Sequence, residues 1–180
     1  MEKLAKECLE GNTEAWRLLV DTFSKKIFNL AYQFCGRYEE AEDLTQEIFM
    51  KIFTSLPKYD GRKNFTAWIL VVAKNHLIDS YRQTKRKIRP RDNFDVHLPA
   101  NLTPDPEVEM IAEQERQLIW KGIGKLSPDL RLAIILKEIQ GKSYEEVAEI
   151  LNIPVGTVKS RINRGKLQLA QILTQEVNQT

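Results

Sequence analysis

Residue types that would mark an enzyme or a metalloprotein are scarce in this chain of 180 residues. Its two cysteines, Cys8 and Cys35, lie far apart and form no Cys-x-x-Cys pattern, and its two histidines, His76 and His97, are equally isolated. Neither a zinc site nor a disulfide framework is therefore indicated. Because no set of Ser, Cys or acidic residues has a recognisable catalytic spacing, we predict no enzymatic activity, no cofactor and no metal ion.

Long apolar runs are also missing. No segment approaches the roughly 20 apolar residues that a bilayer-spanning helix needs. The first residues, MEKLAKECLEGN, lack the apolar centre of a signal peptide. We therefore expect a cytoplasmic protein without membrane insertion. The chain has only 8 glycines and 7 prolines, and most long segments show helical spacing of apolar residues, which predicts an all-α fold.

Charge is distributed unevenly along the chain, although the formal net charge is only +2. The segment 39–47 contains five acidic residues and no basic one, whereas 82–91 contains six basic residues and no acidic one. This separation suggests two partners, one that meets an acidic surface and one that is polyanionic.

The segment 143–169, SYEEVAEILNIPVGTVKSRINRGKLQL, has the pattern of a DNA-binding helix-turn-helix. Ser143 and Glu146 form a capping box at the start of the first helix. Asn152 tolerates the left-handed backbone of a turn, and Pro154 restarts the chain near the first turn of the second helix. Because these local signals occur together, they favour a helix-turn-helix over an ordinary amphipathic helical hairpin.

The second helix of this motif separates apolar from polar residues. Val158, Ile162 and Leu169 share one stripe and are expected to pack inward. The outward residues carry donors suited to base edges and to phosphates. These candidate DNA-binding residues are Thr157, Lys159, Ser160, Arg161, Arg164 and Lys166.

A predicted helix from Glu39 to Leu56 carries a second candidate surface. Its broad apolar face comprises Ala41, Leu44, Ile48, Phe49, Ile52, Phe53 and Leu56. A different face presents Asp43, Gln46, Glu47 and Met50. Acidic residues near a helix start suit the helix dipole, but an exposed methionine among polar residues is typical of a protein-binding surface.

A third candidate surface combines the loop 57–64, PKYDGRKN, with a predicted helix from Phe65 to about Thr84. Aromatic residues are interleaved with basic ones here, although Trp68 taken alone is expected to belong to the core. Single-stranded DNA needs this combination, since bases stack on rings and phosphates require cations. The candidates are Tyr59, Arg62, Lys63, Asn64, Asn75, Asp79, Arg82, Lys85 and Arg86.

Four prolines between Ile88 and Val108, with little helical periodicity around them, predict an extended linker. The predicted organisation is therefore two small helical domains, residues 1–87 and 110–180, joined by a Pro-rich linker of residues 88–109. The second domain contains a helix that starts at Pro128 and stops at Gly141, followed by the helix-turn-helix.

Three segments in this order resemble the sigma-70 family of bacterial transcription initiation factors. The match is to its extracytoplasmic-function group, which keeps only the second and fourth sigma domains. AEDLTQEIFMKIF is similar to the family helix that grips the clamp of core RNA polymerase. FTAWILVVAKNHLIDSYRQTKRK resembles the segment that melts and reads the minus 10 promoter element, and NIPVGTVKSRINRGK resembles the minus 35 reading helix.

This resemblance implies a partner for each surface. Asp43, Gln46 and Glu47, beside Met50, would contact core RNA polymerase. The loop 59–64 and the basic helix after it would bind melted, single-stranded minus 10 DNA. The outward residues of the second helix-turn-helix helix would bind duplex minus 35 DNA. An anti-sigma factor is expected as a further partner, because the family is commonly restrained by one.

Two other classes remain as alternatives. A dimeric helix-turn-helix repressor or activator would bind a two-fold symmetric duplex site independently of core polymerase. A nuclease or recombinase would need acidic residues around a metal ion, for which Asp43, Glu47 and Asp60 are too loosely arranged.

Overall fold

The computed structural model describes residues 1–61, 64–87 and 106–178. Every regular element in these ranges is helical, which confirms the predicted all-α class. The α-helices are α1 (Glu2–Leu9), α2 (Thr13–Cys35), α3 (Tyr38–Ser55), α4 (Phe65–Lys87), α5 (Pro106–Lys125), α6 (Pro128–Ile134), α7 (Tyr144–Leu151) and α8 (Val155–Val177). A 3₁₀ turn (Leu56–Lys58) follows α3, and a π-helical turn (Ile135–Ile139) follows α6.

Most of the predicted Pro-rich linker falls on residues 88–105, outside the described part of the chain. α4 ends at Lys87, the last residue of the predicted first domain. α5 begins at Pro106, inside the segment predicted as linker. A proline fits this position because the first residue of a helix needs no backbone N–H donor.

The bounds of α2 follow from signals in the sequence. The side chain of Asn12 accepts hydrogen bonds from the backbone N–H groups of Glu14, at 2.9 Å, and Ala15, at 3.2 Å. These bonds satisfy donors that a helix start leaves without a partner in the helix. At the other end Gly36 takes a left-handed conformation, with φ of 75°, that ends the helix.

The first half of the molecule packs α1, α2, α3 and α4 around one apolar core. Its fully buried side chains include Leu19, Phe23, Ile27, Leu30, Ile48, Ile52, Leu56, Phe65, Ile69 and Leu77. α1 is absent from the predicted elements. It buries Leu4, Ala5 and Cys8, and the indole Nε1 of Trp16 donates to the carbonyl of Cys8 at 3.1 Å.

One residue of the predicted apolar face of α3 lies at the edge of this core. Phe53 is 56 % exposed and packs against Trp16, with ring centroids 4.9 Å apart. The apolar face of α3 is therefore wider than the surface that its neighbours cover.

The second half packs α5 to α8, and a glycine allows a close approach between two of its helices. A Cβ atom on Gly165 of α8 would lie 2.9 Å from Cγ1 of Ile134 in α6. Such a distance is too short for two carbon atoms, so any side chain at this position would require Ile134 to shift. The core of this half includes Trp120, Ile123, Leu126, Leu132, Ala133, Leu136, Val147, Ile150, Val158 and Ile162.

The two halves pack directly against each other. α4 contacts α6 and α7, and α2 contacts the π-helical turn. The buried apolar residues of both halves belong to one continuous cluster. None of the helices in the described ranges is long and apolar enough to cross a bilayer.

Candidate nucleic-acid interface

The helix-turn-helix has the local geometry that its sequence predicts. Glu146 N donates to Oγ of Ser143 at 3.1 Å, and Ser143 N donates to the carboxylate of Glu146 at 2.7 Å. The hydrogen bond from the Ser143 backbone lowers the pKa of Glu146. Asn152 has φ of 56° and ψ of 49°, so the left-handed turn residue is also confirmed. The capping box and the turn therefore set the start of α7 and the crossing into α8.

α8 turns most of its candidate DNA-binding side chains outward. Lys159, Ser160 and Arg164 are exposed, and Thr157 is half-buried. Nε of Arg164 lies 3.4 Å from the carbonyl of Ser160, one turn earlier on the same helix. These side chains form an outward polar stripe, while Val158 is buried on the opposite side.

Two further candidates on α8 are held by acidic partners in the same half. The Arg161 guanidinium lies 2.9 Å from a carboxylate oxygen of Asp129 in α6, and the Arg161 side chain is only 23 % exposed. Nζ of Lys166 lies 3.0 Å from a carboxylate oxygen of Glu138 in the π-helical turn. Arg164 is therefore more accessible to a ligand than Arg161.

α4 presents a second polar stripe. Asn75, Asp79 and Arg82 are exposed, and their spacing places them on one side of the helix. The side chain of Asn64 caps the start of α4 by accepting from the backbone N–H of Thr66 at 2.9 Å. Lys85 continues the helix, but its side chain and that of Arg86 lie outside the described part, as do the whole residues Arg62 and Lys63.

Three aromatic rings meet where the loop enters α4. Tyr59 lies 5.1 Å from Phe65 and 5.3 Å from Trp68 between ring centroids, and Phe65 and Trp68 stack at 5.9 Å. Phe65 is buried, whereas Tyr59 and Trp68 are half-buried. Burial raises the pKa of Tyr59. The edge of this cluster offers aromatic surface on which a base can stack.

α3 carries the third candidate surface. Asp43, Gln46, Glu47 and Met50 are all exposed, Met50 by 65 %. Glu47 also contacts α4, because a carboxylate oxygen lies 2.6 Å from Nε2 of His76. Phe53 lies at the spacing that continues this stripe beyond Met50, so the exposed surface extends one turn further than predicted.

Arg131 is a residue whose role could not be predicted from spacing. Its side chain is 3 % exposed within the apolar run of α6. Its only sequence signal is a basic residue inside the otherwise apolar segment LRLAIIL. Burial is also the first cause of the lowered pKa of Arg131. A buried guanidinium requires hydrogen-bond acceptors, so its partners are structurally informative.

The described residues contain no group of three or more His, Cys, Asp or Glu side chains that could hold a metal ion. Burial raises the pKa of Cys35 to about 11 and also raises that of Cys8.

The geometry of the three surfaces describes a helical DNA-binding protein with a helix-turn-helix, a separate aromatic and polar surface, and an acidic face suited to a protein partner.

Comparison with known proteins gives the family. The family described as Sigma-70 region 2 matches residues 19–87, and Sigma-70, region 4 matches residues 116–169. The chain is 32 % identical to the ECF RNA polymerase sigma factor SigW of Bacillus subtilis (strain 168), over 96 % of each chain. It is also 32 % identical to the ECF RNA polymerase sigma-E factor of Escherichia coli (strain K12), over 91 % of this chain and 88 % of that one.

Solved structures share the fold. The structure of CnrH in complex with the cytosolic domain of CnrY matches with a TM-score of 0.67 and 25 % identity, over 96 % of each chain. The sigma factor RpoE in complex with the anti-sigma factor NepR from Bartonella quintana matches with a TM-score of 0.67 and 24 % identity, over 90 % of this chain and 98 % of that one.

The chain therefore belongs to the extracytoplasmic-function group of the sigma-70 family. It is a polymerase-associated factor that gives RNA polymerase its promoter specificity.

Proposed function

We propose that three surfaces divide the work of promoter recognition in this protein. The acidic stripe of α3 binds core RNA polymerase, the stripe of α4 with the aromatic cluster binds melted minus 10 DNA, and α8 reads duplex minus 35 DNA. The observation that carries this proposal is that all three stripes are exposed on separate helices of one fold. The side chains of each stripe are also chemically suited to bind its proposed partner.

The polymerase surface comprises Asp43, Gln46, Glu47 and Met50. Acidic residues beside exposed apolar ones combine electrostatic steering with contact area. Met50 and Phe53 supply that apolar area at the centre of the stripe and at one end of it. Because an unbranched methionine adapts its shape, it suits a surface that must fit a large partner.

The minus 10 surface comprises Tyr59, Asn64, Asn75, Asp79 and Arg82 among the residues with described side chains, together with Arg62, Lys63, Lys85 and Arg86. Extruding a base from the duplex costs a few kcal/mol, which stacking and hydrogen bonds to the captured base can offset. The half-buried ring of Tyr59 provides a stacking surface, and Asn75 and Asp79 provide donors and acceptors for base edges. The basic residues neutralise phosphates.

The minus 35 surface comprises Thr157, Lys159, Ser160, Arg161, Arg164 and Lys166. Arg164 is the best candidate for a base contact, because its guanidinium is exposed and can donate two hydrogen bonds to guanine. Arg161 and Lys166 keep their charge near the DNA, while Asp129 and Glu138 fix their positions. Contacts of this kind orient a protein on the duplex.

The protein supplies binding energy and geometry, and the chemistry of RNA synthesis belongs to the polymerase. It acts in the cytoplasm, where the polymerase and the promoter are. An anti-sigma factor is a further proposed partner, since the RpoE structure of the same fold is a complex with the anti-sigma factor NepR. The exposed α3 and α8 stripes are accessible to such a protein.

Transcription in vitro from a genomic DNA library tests the proposal. Core RNA polymerase is assayed with and without the protein, and the new start sites are mapped. Start sites that depend on the protein and share elements near minus 35 and minus 10 support the assignment. Stable binding to a symmetric duplex site, with no protein-dependent start sites, would instead favour a dimeric repressor.

A further inference from the structure

The first helix, α1, belongs to none of the three proposed surfaces, although it lies beside one of them. The match to Sigma-70 region 2 begins at residue 19, so α1 precedes the part of the chain that this match covers. Three buried side chains anchor α1 in the core of the first half. The helix also contacts the 3₁₀ turn (Leu56–Lys58), which leads directly into Tyr59 of the minus 10 surface. α1 is therefore held in a fixed position relative to that surface.

A cavity of about 450 Å³ lies between α1 and the start of α4. Its lining residues in the described part of the chain are Met1, Glu2, Lys3, Asn64 and Phe65. Glu2, Lys3 and Asn64 are exposed, so the cavity is accessible from solvent. Pockets that bind small organic ligands typically measure about 300–1,000 Å³. The cavity is therefore large enough for a single nucleobase.

The cavity adjoins the aromatic cluster of the minus 10 surface. Phe65 lines the cavity and also packs against the other two rings, with centroid distances of 5.1 Å to Tyr59 and 5.9 Å to Trp68. Asn64, which precedes Phe65, is itself a candidate for binding minus 10 DNA. A base that has left the duplex and stacks at the edge of these rings can therefore place its polar edge in the cavity.

α1 supplies one acidic and one basic side chain to the cavity. Nζ of Lys3 lies 3.7 Å from a carboxylate oxygen of Glu7, one turn later on the same helix. The charge of Glu2 acts on the minus 10 surface instead. Burial is the first cause of the raised pKa of Tyr59, and the negative charge of Glu2 is the second. Because such an effect weakens with distance, the Glu2 carboxylate lies within reach of a ligand that packs beside Tyr59.

A carboxylate in this position distinguishes between bases. It accepts hydrogen bonds but cannot donate one. Adenine, cytosine and guanine each carry an exocyclic amino group that can donate to it, whereas thymine carries none. A thymine carbonyl facing the carboxylate would leave two acceptors without a donor, which is unfavourable once water is displaced. A cavity lined by Glu2 therefore disfavours thymine.

We propose that α1 forms one wall of the site for the base extruded from the minus 10 element, and that Glu2 selects a base with an exocyclic amino group. Glu2 is then a specificity-determining residue, because its carboxylate contacts the base itself. The neighbouring Lys3 offsets the repulsion between this carboxylate and the DNA backbone. The inference rests on the proposed function, since minus 10 recognition is what brings an extruded base to the cavity.

Transcription from a promoter library tests this role of Glu2. All positions of a mapped minus 10 element are randomised, and each template carries a barcode in its transcribed part. Full-length protein with core polymerase transcribes the library, and the barcodes of the transcripts are counted. We expect a position at which thymine lowers transcription about fivefold or more, the effect of losing one hydrogen bond. A wild-type protein that tolerates thymine at every position would overturn the proposal.

Glu2→Gln is the informative variant, because glutamine keeps the size of the side chain and adds an amide that can donate to O4 of thymine. We expect the thymine penalty at that one position to fall below about twofold, with the preferences at other positions unchanged. Glu14→Gln is the matched control. It removes the same charge from an exposed residue in the first turn of α2, which does not line the cavity. Glu14→Gln should keep the thymine penalty, and a Glu2→Gln protein that also keeps it would refute the role of Glu2.

A purely structural role of Glu2 gives a different result. An acidic residue in the first turn stabilises a helix through its dipole, so urea unfolding monitored by circular dichroism is measured for both variants. If Glu2 acts only on stability, Glu2→Gln should lower transcription from all library sequences by the same factor, and that outcome would contradict the proposal.

The same experiment separates the two proposals. Absence of protein-dependent transcripts with every protein, including wild type, refutes the proposed function. Selection from a randomised single-stranded DNA library by the free protein then still reports whether Glu2 disfavours thymine. Equal selection by wild type and Glu2→Gln would refute the role of Glu2 independently of polymerase.

Discussion

The two halves of the molecule each end in a helix of 23 residues that is proposed to bind DNA, but α4 and α8 hold their polar side chains differently. On α8, Arg161 pairs with α6 and Lys166 with the π-helical turn. Nζ of Lys159 lies 5.6 Å from the ring centroid of Tyr144 in α7. Three candidate DNA contacts are thus oriented by other elements of the same half.

The exposed side chains of α4 have local partners. Arg82 pairs with Asp79 within the helix, at 3.8 Å, and Asn75 accepts a hydrogen bond from the neighbouring Lys74. Duplex DNA presents a groove of fixed shape, for which a preoriented surface costs least entropy on binding. A melted strand is flexible, so side chains that can still adjust suit it better. The difference between α4 and α8 therefore matches the difference between their proposed ligands.

Reversing the charge of the α3 stripe should have the largest effect on binding. It tests whether the first half binds polymerase as well as DNA. We expect Asp43→Arg with Glu47→Arg to weaken core polymerase binding about 100-fold, since like charges placed across an interface cost several kcal/mol. Fluorescence anisotropy with labelled full-length protein measures this affinity. Binding to a minus 35 duplex should stay unchanged.

The matched control for this charge reversal is Glu10→Arg with Asp21→Arg, which changes two exposed acidic residues outside the stripe. It should retain wild-type affinity for polymerase. An equal loss in both double variants, or an equal loss of polymerase and minus 35 binding, would contradict the division between the halves.

Arg164→Ala should produce the next largest effect and tests the preoriented surface of α8. Loss of a bidentate base contact costs about 1–3 kcal/mol, so we expect a decrease in minus 35 duplex affinity of about 5- to 150-fold. Arg164→Lys keeps the charge but loses the planar fork, and should recover the salt dependence without the sequence preference.

Affinity for a minus 35 duplex and for a scrambled duplex is measured as a function of salt concentration. Gln171→Ala, at an exposed position further along α8, is the control and should bind both duplexes like wild type. If Arg164→Ala weakens both duplexes equally, Arg164 contacts phosphate and another side chain reads the base.

The sequence predicted the helix-turn-helix well because its signals are local. Ser143, Glu146 and Asn152 act within one or two turns, so their spacing determines the start of α7 and the turn that follows it. Contacts between distant residues carry no such signal. Asp129 and Arg161 are 32 residues apart, and Phe34 and Arg131 are 97 apart. The partner of Arg161 and the packing of the two halves therefore required the structure.

Phe53 shows a second limit of periodicity. Helical spacing identifies an apolar face, but it does not tell how much of that face the neighbouring helices cover. Phe53 lies at the edge of the apolar face of α3, one turn after Phe49, and is 56 % exposed. An exposed apolar residue beside a polar stripe is a functional candidate that composition alone assigns to the core.

Gly165→Ala should have a moderate effect on stability. It tests the close packing of α8 against α6. The added Cβ would lie 2.9 Å from Cγ1 of Ile134, which must shift. Overpacking of this kind costs about 1–2 kcal/mol, or roughly 2–8 °C in Tm for a chain of this size. Urea unfolding monitored by circular dichroism measures the change.

Gly156→Ala provides the opposite case on the same helix. A Cβ atom at Gly156 meets nothing within 4 Å, so alanine should stabilise α8 by a few tenths of a kcal/mol through helix propensity. If the Gly165→Ala variant is as stable as the Gly156→Ala variant, α8 packs only loosely on α6. The side chains of α8 would then be less preoriented than the comparison with α4 assumes.

The smallest expected effect on binding concerns Glu47, a side chain of the polymerase stripe that contacts another helix. Nε2 of His76 lies 2.6 Å from its carboxylate, and the His76 side chain is 14 % exposed. We expect His76→Ala to weaken core polymerase binding about threefold, because a partly exposed polar contact of this kind contributes less than about 1 kcal/mol. His76→Gln, whose amide can still donate to Glu47, should recover most of that loss.

Fluorescence anisotropy with core polymerase separates orientation of Glu47 from a general loss of packing. If His76 only fills space between α3 and α4, the two variants should differ in stability but not in the effect of a further Glu47→Gln substitution. If His76 orients the carboxylate, Glu47→Gln should cost less affinity in the His76→Ala background than in wild type. That result would show that a side chain of the first half, Glu47, is also preoriented. Glu47 lies on the surface proposed to bind a protein, not on the one proposed to bind a flexible strand.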